Sequence, residues 1–419
     1  MATAPVSMLK SRVFRLLLIS ALCLAGFPQV YLMTVVKAGG IVFAGCEAQL
    51  ADGGRIGGDY SIFWFAGRAA LEGDAASLYD TASFRAMMQE AFGDHYGGFR
   101  WLYPPHWLAV LAPFAALPFT LSYVAFVILT FALFLAVANR ICGDLKFVLL
   151  LAATPAMLVT ALFGQNGFLI SAIMLAALFL ESRPGRLTGI LVGLLTLKPQ
   201  FGLVLPFALA ARRAWRAIAV AAATSVALFA LSAVLFGIEP WIGWITGFGT
   251  APSDLMATRD EDYLGLQISV HAGLRLLGAG DLTAGIGQGL AMLAAIGLAA
   301  AGMRHRTAAG LKACLIVACS YLATPYGMIY DLPALSFVCL WLYLGRHGRA
   351  AGPALSGLAL MIIALPFLNI LLVTGGMPLA PVMIAGLAVC VFLEIREAAQ
   401  DAEEHPAAAT GPAVAQEPA

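Results

Sequence analysis

The sequence is poor in charge: only 11% of its 419 residues are Asp, Glu, Lys or Arg, and the formal net charge is +1. Soluble globular proteins carry about 25% charged residues. There is no surplus of positive charge to meet phosphate backbones, which excludes a nucleic-acid-binding protein. Hydrophobic residues make up 61% of the chain. This composition excludes a soluble enzyme and a disordered scaffold, and it predicts an integral membrane protein.

The seven cysteines form neither a CxxC pair nor a Cys/His cluster with zinc spacing. Most of them lie in or beside apolar runs, and only Cys46 lies in a hydrophilic stretch. We therefore expect no disulfide framework and no metal site. The chain also lacks the fixed repeat of a solenoid and the similarity between halves that many transporters show.

Apolar segments fill most of the chain. Dividing its length by about 20 apolar residues per span plus loops gives on the order of ten to twelve transmembrane or re-entrant helices. We predict an all-α polytopic membrane protein with a single transmembrane domain over residues 1–396. A tail over 397–419, rich in Ala, Pro and Glu, is expected to be disordered and cytoplasmic.

Lysines and arginines gather on one side of the predicted helices, for example at Arg212, Arg213 and Arg216. Because cytoplasmic loops carry the excess of basic residues, we expect a multi-pass protein of the cytoplasmic (inner) membrane with both termini in the cytoplasm. Two long hydrophilic loops, 37–103 and 238–283, then lie on the extracytoplasmic side.

The first of these loops does not have the composition of a disordered segment. After Thr81, the apolar residues Phe84, Met88 and Phe92 recur at helical spacing, which predicts an amphipathic helix capped by Thr81. Helices of this kind lie on a membrane surface with their aromatic face in lipid. We therefore expect interfacial helices in this loop.

A carboxylate, Asp59, follows two glycines and precedes an aromatic segment that begins with Tyr60. Glycines let the backbone approach a ligand closely, and an acid beside apolar surface can act as a general base if its pKa is tuned. The alternative is that Asp59 only caps the helix that begins near Ser61.

Polar residues also mark two boundaries between apolar runs. Tyr103 and His106 stand at a proline-rich helix entry, where they either contact a substrate or belong to an aromatic membrane anchor. Gln165 and Asn166 form a polar turn whose amides suit a hydroxyl-rich ligand. The alternative for this pair is a plain turn.

Lys198 lies in the middle of an apolar segment, where a charge is costly and is by default a functional hypothesis. Pro199 is expected to break the helix there, so that the ammonium could hold a phosphate. Snorkelling of Lys198 to the membrane interface is the alternative. Tyr326, Tyr330 and Asp331 lie in a late polar link, and Asp331 is expected to pair with Lys198, to meet a substrate hydroxyl, or to cap a helix.

By this topology the polar residues share the outer end of an apolar bundle. Such a site suits an amphiphilic substrate with its tail in lipid, its phosphate on Lys198 and its polar head in an outward cavity. The residues expected to contact the substrate there are Tyr60, Tyr103, His106, Gln165, Asn166, Lys198, Tyr326, Tyr330 and Asp331. A transporter or flippase of a lipid-linked or anionic substrate, using Lys198 and Asp331, is the alternative.

The motifs together resemble glycosyltransferase family 87, from the first apolar run to about residue 335. The likeness is carried by Asp59-Tyr60 before an aromatic helix, Tyr103-Pro104-Pro105, Gly164-Gln165-Asn166, Leu197-Lys198-Pro199, and Thr324-Pro325-Tyr326 with Tyr330-Asp331.

The resemblance implies a GT-C membrane fold and an inverting transfer that needs no metal and no cofactor. One sugar, mannose or another hexose, would pass from a polyprenyl-phosphate donor to a hydroxyl of a lipid or glycan acceptor outside the membrane. The family's proposed base, an aspartate of the first external loop, corresponds to Asp59, and Lys198 would neutralise the leaving phosphate. Other members carry a histidine near the position of Tyr326 to Asp331, which leaves the acceptor open. A GT-C ligase is a further alternative, but such enzymes usually carry several outer-face arginines.

Overall fold

The computed structural model of the protein describes residues 11–21, 41–44, 47–50, 57–92, 100–181, 183–247, 261–346 and 351–404. Parts of both predicted loops and residues 405–419 of the predicted tail lie outside the described residues, as does Cys46. The described chain is all-α and polytopic, as predicted, apart from one short β-hairpin in the first loop.

The first part of the chain contains one helix, the hairpin and three loop helices. Helix α1 covers residues 11–21, and strands β1 (Ile41–Ala44) and β2 (Glu47–Leu50) pair antiparallel, with Ile41 opposite Leu50. The loop helices are α2 (Tyr60–Leu71), α3 (Thr81–Phe92) and α4 (Trp107–Ala115), with a 3-10 turn at Ser77–Tyr79.

Sixteen further helices follow in chain order. They are α5 (Phe119–Cys142), α6 (Leu145–Ala152), α7 (Pro155–Phe163), α8 (Gly167–Phe179), α9 (Arg186–Leu194), α10 (Leu205–Ala211), α11 (Trp215–Phe236), α12 (Glu239–Gly247), α13 (Glu261–Gly265), α14 (Val270–Leu276), α15 (Asp281–Arg304), α16 (Ala309–Ala323), α17 (Pro333–Tyr343), α18 (Pro353–Ile363), α19 (Leu365–Thr374) and α20 (Ala380–Glu404). Short 3-10 turns lie at Leu195–Leu197, Pro199–Phe201 and Ile329–Asp331.

Within the described ranges, three helices are long and apolar enough to cross a membrane: α5, α11 and α15. The pairs α6–α7 and α18–α19 bend by 57° and 82° and raise the number to five if each pair is one span. The described residues therefore contain fewer full spans than the ten to twelve transmembrane or re-entrant helices expected for the whole chain, because many apolar segments are short or broken. On α11, Val234 is 84% exposed, as a lipid-facing side chain should be.

Three of the short apolar helices, α8, α16 and α17, form the centre of the bundle. Every residue of α17 is buried, and so is nearly every residue of α8 and α16. A helix that is apolar on all sides is stable when protein or lipid covers every face. Protein covers these three, so they need not span the membrane.

Helices α9 and α11 approach closely because two glycines face the partner helix. A Cβ on Gly189 would lie 2.6 Å from the carbonyl oxygen of Ala217, and one on Gly193 would lie 2.5 Å from Cβ of Thr224. Small residues four apart are typical of closely packed membrane helices. This contact fixes the position of α9 against α11 and therefore of the segment after α9 that carries Lys198.

The predicted amphipathic helix exists as α3, but its cap and its partner differ from the prediction. Asp80 caps it instead of Thr81, since its Oδ1 accepts from the amide of Ser83 at 2.7 Å. Phe84 is fully buried and packs against Phe65 of α2 with ring centroids 6.2 Å apart. The expected lipid-facing position is therefore wrong, because α2 covers the aromatic face.

The aromatic membrane anchor predicted around Tyr103 is also wrong, because protein and not lipid covers its aromatic rings. Trp101 and Trp107 are 5% and 0% exposed. Their rings surround Phe63 of α2, with centroids at 6.4 and 5.8 Å. The aromatic residues of the first loop thus build a protein core that fixes α2 against α4.

The last helix, α20, extends through Glu404. The predicted start of a disordered tail at residue 397 is therefore too early. Residues 397–404 continue the regular helical backbone that begins at Ala380.

Candidate active site

Asp59 precedes α2 and reaches across to the turn between α7 and α8. Gly57, with φ of 81°, turns the chain just before it. The Asp59 side chain makes no capping hydrogen bond to α2, so the capping interpretation is wrong. Instead its Oδ2 accepts from Nε2 of Gln165 at 2.9 Å. Among the described residues, none donates a hydrogen bond to Oδ1.

The α7–α8 turn lies directly against the start of α2. Gly164 ends α7 with φ of 64°, and a Cβ there would lie 2.6 Å from Cβ of Tyr60. The Tyr103 hydroxyl donates to Oε1 of Gln165 at 3.3 Å. The Gln165 amide is therefore held at both ends, with its NH2 group toward Asp59.

Lys198 lies at a break between the 3-10 turns on either side of it, as Pro199 predicted. It is 2% exposed, and its Nζ donates to Oδ1 of Asp331 at 2.5 Å and to Oδ1 of Asn166 at 3.1 Å. The predicted pairing of Lys198 with Asp331 is confirmed. Snorkelling is wrong, because the ammonium points into the protein.

The second oxygen of Asp331 has a different partner. Oδ2 accepts from the amide of Met328 at 3.1 Å, which caps the 3-10 turn. The two roles considered for Asp331, pairing and capping, are therefore combined. The turn also contacts α8 closely, since a Cβ on Gly167 would lie 2.2 Å from the carbonyl oxygen of Tyr330.

Four tyrosines lie within electrostatic range of Asp59. The negative charge of Asp59 acts on Tyr103, Tyr263, Tyr326 and Tyr330. Burial raises the pKa of Tyr103, Tyr326 and Tyr330 well above the ordinary value and that of Tyr263 to about 12. The four hydroxyls therefore stay protonated and can donate hydrogen bonds.

Tyr263 is absent from the sequence-based prediction. Its hydroxyl shares a hydrogen bond with that of Tyr326. The pairing follows from an isolated β-bridge between Gln267 and Met328, with the amide of Ile268 bonded to the carbonyl of Gly327 at 2.9 Å. No local signal marks Tyr263, because the bridge joins segments about sixty residues apart.

Two predicted site residues have other surroundings. Tyr60 is 0% exposed and its hydroxyl bonds to Oγ of Ser122 at 2.7 Å. His106 stacks on Trp241 with centroids 5.6 Å apart, and its Nε2 lies 3.4 Å from Oγ1 of Thr196. Burial lowers the pKa of His106 to about 4, so the ring is neutral at pH 7. These contacts favour structural roles for both residues over the predicted contact with substrate.

The Asp59 carboxyl is half-buried. Burial raises its pKa to about 6, against the opposing effects of the Gln165 hydrogen bond and the charge of Lys198. The charge of Asp331 acts in the same direction as burial. Carboxyls with raised pKa values in polar clefts are typical of acid–base catalysis.

A polytopic helical fold with such a carboxyl is compatible with several classes of membrane protein, and sequence comparison identifies the class as a membrane-embedded glycosyltransferase. Residues 101–325, more than half of the chain, match Glycosyltransferase family 87, and the protein belongs to this family. The resemblance is thereby confirmed, and the transporter interpretation is not supported. The match includes Gln165 and Lys198 but does not extend to Asp59 or Asp331. No curated protein and no solved structure matches the chain.

Replacing Asp331 with Asn should strongly destabilise the protein, because the buried Lys198 ammonium loses its counter-ion. We expect a loss of about 3–5 kcal/mol, and a smaller loss when Lys198→Met accompanies Asp331→Leu. Thermal unfolding in a neutral detergent measures both. The control is Glu72→Gln, because Glu72 pairs with Arg68 and both side chains are well exposed, at 60% and 44%; this should change stability by about 1 kcal/mol or less. An Asp331→Asn protein as stable as the control would contradict the stabilising role of the Lys198–Asp331 pair.

Proposed function

We propose that this glycosyltransferase moves one sugar, mannose or another hexose, from a polyprenyl-phosphate donor to a hydroxyl of a lipid or glycan acceptor. Asp59 is the general base. The observation that carries this proposal is the Asp59 carboxyl itself, with one oxygen bonded to Gln165 and a pKa raised to about 6. A base of this strength is ionised at pH 7 and can still accept a proton.

In the proposed step, the acceptor hydroxyl lies against Oδ1 of Asp59. Its oxygen attacks the anomeric carbon of the sugar while its proton passes to Asp59. The bond between the anomeric carbon and the phosphate oxygen breaks, and its electron pair leaves with the lipid phosphate. A single displacement inverts the anomeric centre, and no protein–sugar bond forms.

Lys198 takes a positioning role in this proposal instead of the predicted direct contact with phosphate. Lys198 is 2% exposed, and its ammonium is balanced by Asp331 and bonded to Asn166. Through Asn166 it fixes the turn that carries Gln165, the residue that orients Asp59.

Arg100 is our candidate for the cation that faces the leaving phosphate. Its positive charge acts on Tyr263, whose hydroxyl also feels the charge of Asp59. This electrostatic effect on Tyr263 is what supports Arg100 as the candidate. A guanidinium suits a phosphate because it can donate two parallel hydrogen bonds, and stabilising the negative charge of the leaving group accelerates the transfer.

The tyrosines supply the polar surface for the sugar and the acceptor. Tyr103, Tyr263, Tyr326 and Tyr330 offer protonated hydroxyls around Asp59, and Gln165 adds an amide. These groups recognise hydroxyl-rich ligands. No step of the proposed reaction requires a metal ion or a cofactor.

The distribution of basic residues supports an extracytoplasmic site in the inner membrane. At the far end of α17 from Asp331, Arg12 donates to the carbonyl of Tyr343 at 2.7 Å, and Arg346 pairs with Asp144. Cytoplasmic segments of membrane proteins carry the excess of positive charge, so we place that end of the bundle in the cytoplasm. Asp59 and its neighbours then face outward.

Asp59→Asn should abolish transfer of a radiolabelled sugar from a polyprenyl-phosphate donor in membranes. We expect a loss of roughly 100- to 10,000-fold, because an amide cannot accept the proton. Glu72→Gln is the matched control, since Glu72 is an exposed acid of the same loop that pairs with Arg68. Wild-type transfer by an Asp59→Asn protein of normal abundance would refute the assignment of the base.

The pH profile offers a separate test. Since Asp59 acts as a base only when ionised, kcat/KM should fall as the pH drops below about 6. Gln165→Leu removes a hydrogen bond that lowers this pKa, so the fall should begin at higher pH. Tyr103→Phe leaves the Gln165–Asp59 bond intact and should move the midpoint less. An unchanged midpoint in Gln165→Leu would argue against Asp59 as the titrating group.

Arg100→Gln should raise the apparent KM for the donor or lower kcat/KM by roughly tenfold to a hundredfold, the usual effect of losing a charged hydrogen bond. The control is Arg68→Gln, which removes a half-exposed arginine from α2. Titration of the polyprenyl-phosphate donor with both proteins measures the difference. Equal donor kinetics in the two variants would remove Arg100 from the proposed mechanism.

A further inference from the structure

The segment that follows Tyr263 is joined to the link before Asp331 by very few backbone hydrogen bonds. The amide of Ile268 bonds to the carbonyl of Gly327, and the amide of Ile329 bonds to the carbonyl of Leu266, both at 2.9 Å. A pair of short strands is only marginally stable by itself. Other contacts must therefore fix the end of α13, the helix that carries Tyr263.

Two backbone carbonyl groups beside this bridge point away from it. The carbonyl of Gly265 is released at the end of α13, and that of Gln267 lies on the free edge of the bridge. Within a membrane protein such groups need a partner from the protein itself. Asn369 of α19 supplies it, since its Nδ2 donates to Gly265 at 2.6 Å and to Gln267 at 3.3 Å.

The side chain of Asn369 is suited to this contact by its two donor protons. An amide NH2 group can donate to two acceptors at once. Asn369 is 1% exposed, and no described residue donates a hydrogen bond to its own Oδ1. A buried oxygen without a donor is unfavourable, so the NH2 group accounts for an asparagine at this position of an otherwise mostly apolar helix.

The helix α19 is itself well placed to hold α13. After the bend of 82° from α18, α19 packs against both α7 and α13. A Cβ on Gly265 would lie 3.3 Å from Cγ1 of Val373, so the end of α13 contacts α19 closely. Because α7 ends at the turn that carries Gln165, Asn369 joins the Tyr263 segment to the same group of helices that orients Asp59.

We propose that Asn369 is a positioning residue for sugar transfer, because it holds the end of α13 and thereby the Tyr263 hydroxyl that bonds to Tyr326. This inference rests on the proposed function, in which the tyrosines contact the sugar and the acceptor. Recognition of a hydroxyl-rich ligand depends on where the donor and acceptor groups are held. Asn369 lies beyond residues 101–325, the part of the chain that matches the family.

Asn369→Leu keeps nearly the same side-chain volume and removes both donors. We expect kcat/KM for transfer from a polyprenyl-phosphate donor to fall roughly threefold to tenfold, the usual effect of a lost hydrogen bond. Asn369→Asp keeps the shape but places an oxygen against the two carbonyls, and it should lose at least as much. Wild-type kcat/KM in both variants would overturn the proposal.

The matched control is Thr188→Val, which removes the hydrogen bonds of another buried side chain. Thr188 is 2% exposed, and its Oγ1 donates to the carbonyl of Ala177 at 3.2 Å and contacts Glu181 at 2.7 Å. It lies at the start of α9, at the opposite end of that helix from Lys198. Thr188→Val should therefore retain the wild-type kcat/KM.

A double-mutant cycle with Tyr263→Phe separates positioning from general destabilisation. If Asn369 acts through the Tyr263 hydroxyl, Asn369→Leu should change kcat/KM by less than about twofold in a Tyr263→Phe protein. Thermal unfolding in detergent should show the same destabilisation by Asn369→Leu in both backgrounds. Equal losses of kcat/KM in the two backgrounds would show that Asn369 does not act through Tyr263 and would overturn the proposal.

A further pair of variants tests the same contact if the replacements of Asn369 do not fold. Gly265→Ala places a Cβ 3.3 Å from Cγ1 of Val373 and should move α13 away from Asn369, which lowers kcat/KM. Adding Val373→Ala removes that methyl group and should restore kcat/KM. No loss in Gly265→Ala, or a loss that Val373→Ala does not restore, would overturn the proposal.

The Asp59→Asn protein distinguishes a failure of this inference from a failure of the proposed function. If Asp59→Asn retains wild-type transfer, the proposed function itself is wrong. If Asp59→Asn is inactive while Asn369→Leu keeps the wild-type kcat/KM, the proposed function stands and the positioning role of Asn369 is wrong.

Discussion

The ion pair between Lys198 and Asp331 is the constraint on which the candidate active site depends. The two residues are 133 positions apart in sequence, yet Nζ and Oδ1 are 2.5 Å apart and both side chains are almost fully buried. A buried charge without its partner is strongly unfavourable, so each residue fixes the position of the other. Lys198 also bonds to Asn166, which brings the start of α8 to the same point. Gln165, the next residue, is thereby placed where its amide reaches Asp59, although the two are 106 positions apart.

The central helices are short because several of them end where Lys198, Asp331 and Asn166 come together. Helix α9 ends before Lys198, α16 ends before the link to Asp331, and α8 begins just after Asn166. Backbone groups released at helix ends have no partner in lipid and must be satisfied within the protein. Here the amide of Lys198 bonds to the carbonyl of Leu195 at 2.9 Å, and that of Met328 bonds to Asp331. The long helices α5, α11 and α15 contribute the lipid-facing surface, so polar turns can exist inside an otherwise apolar bundle.

Several of these features could be predicted from the sequence because they depend on strong local rules. A lysine within an apolar run needs a partner, and this rule predicted the pair of Lys198 with Asp331. The proline next to the lysine predicted the break in the helix. The aromatic residues of the first loop were misplaced, because an amphipathic pattern such as that of Phe84 and Met88 is the same whether lipid or another helix covers it. Tyr263 could not be found at all, since its contact with Tyr326 depends on a bridge between distant segments.

The pairing of Lys198 also resolves a conflict in the chemistry of the proposed reaction. A cation near the leaving phosphate stabilises the negative charge that develops there, but a cation near the base lowers the pKa of that base and weakens it. At Asp59 the charges of Lys198 and Asp331 act in opposite directions, so burial and the Gln165 bond dominate its pKa. A lysine without a counter-ion at this position would make Asp59 a weaker proton acceptor. Neutralising Lys198 with Asp331 keeps the proposed base strong, and it leaves the stabilisation of the phosphate to another cation, for which Arg100 is our candidate.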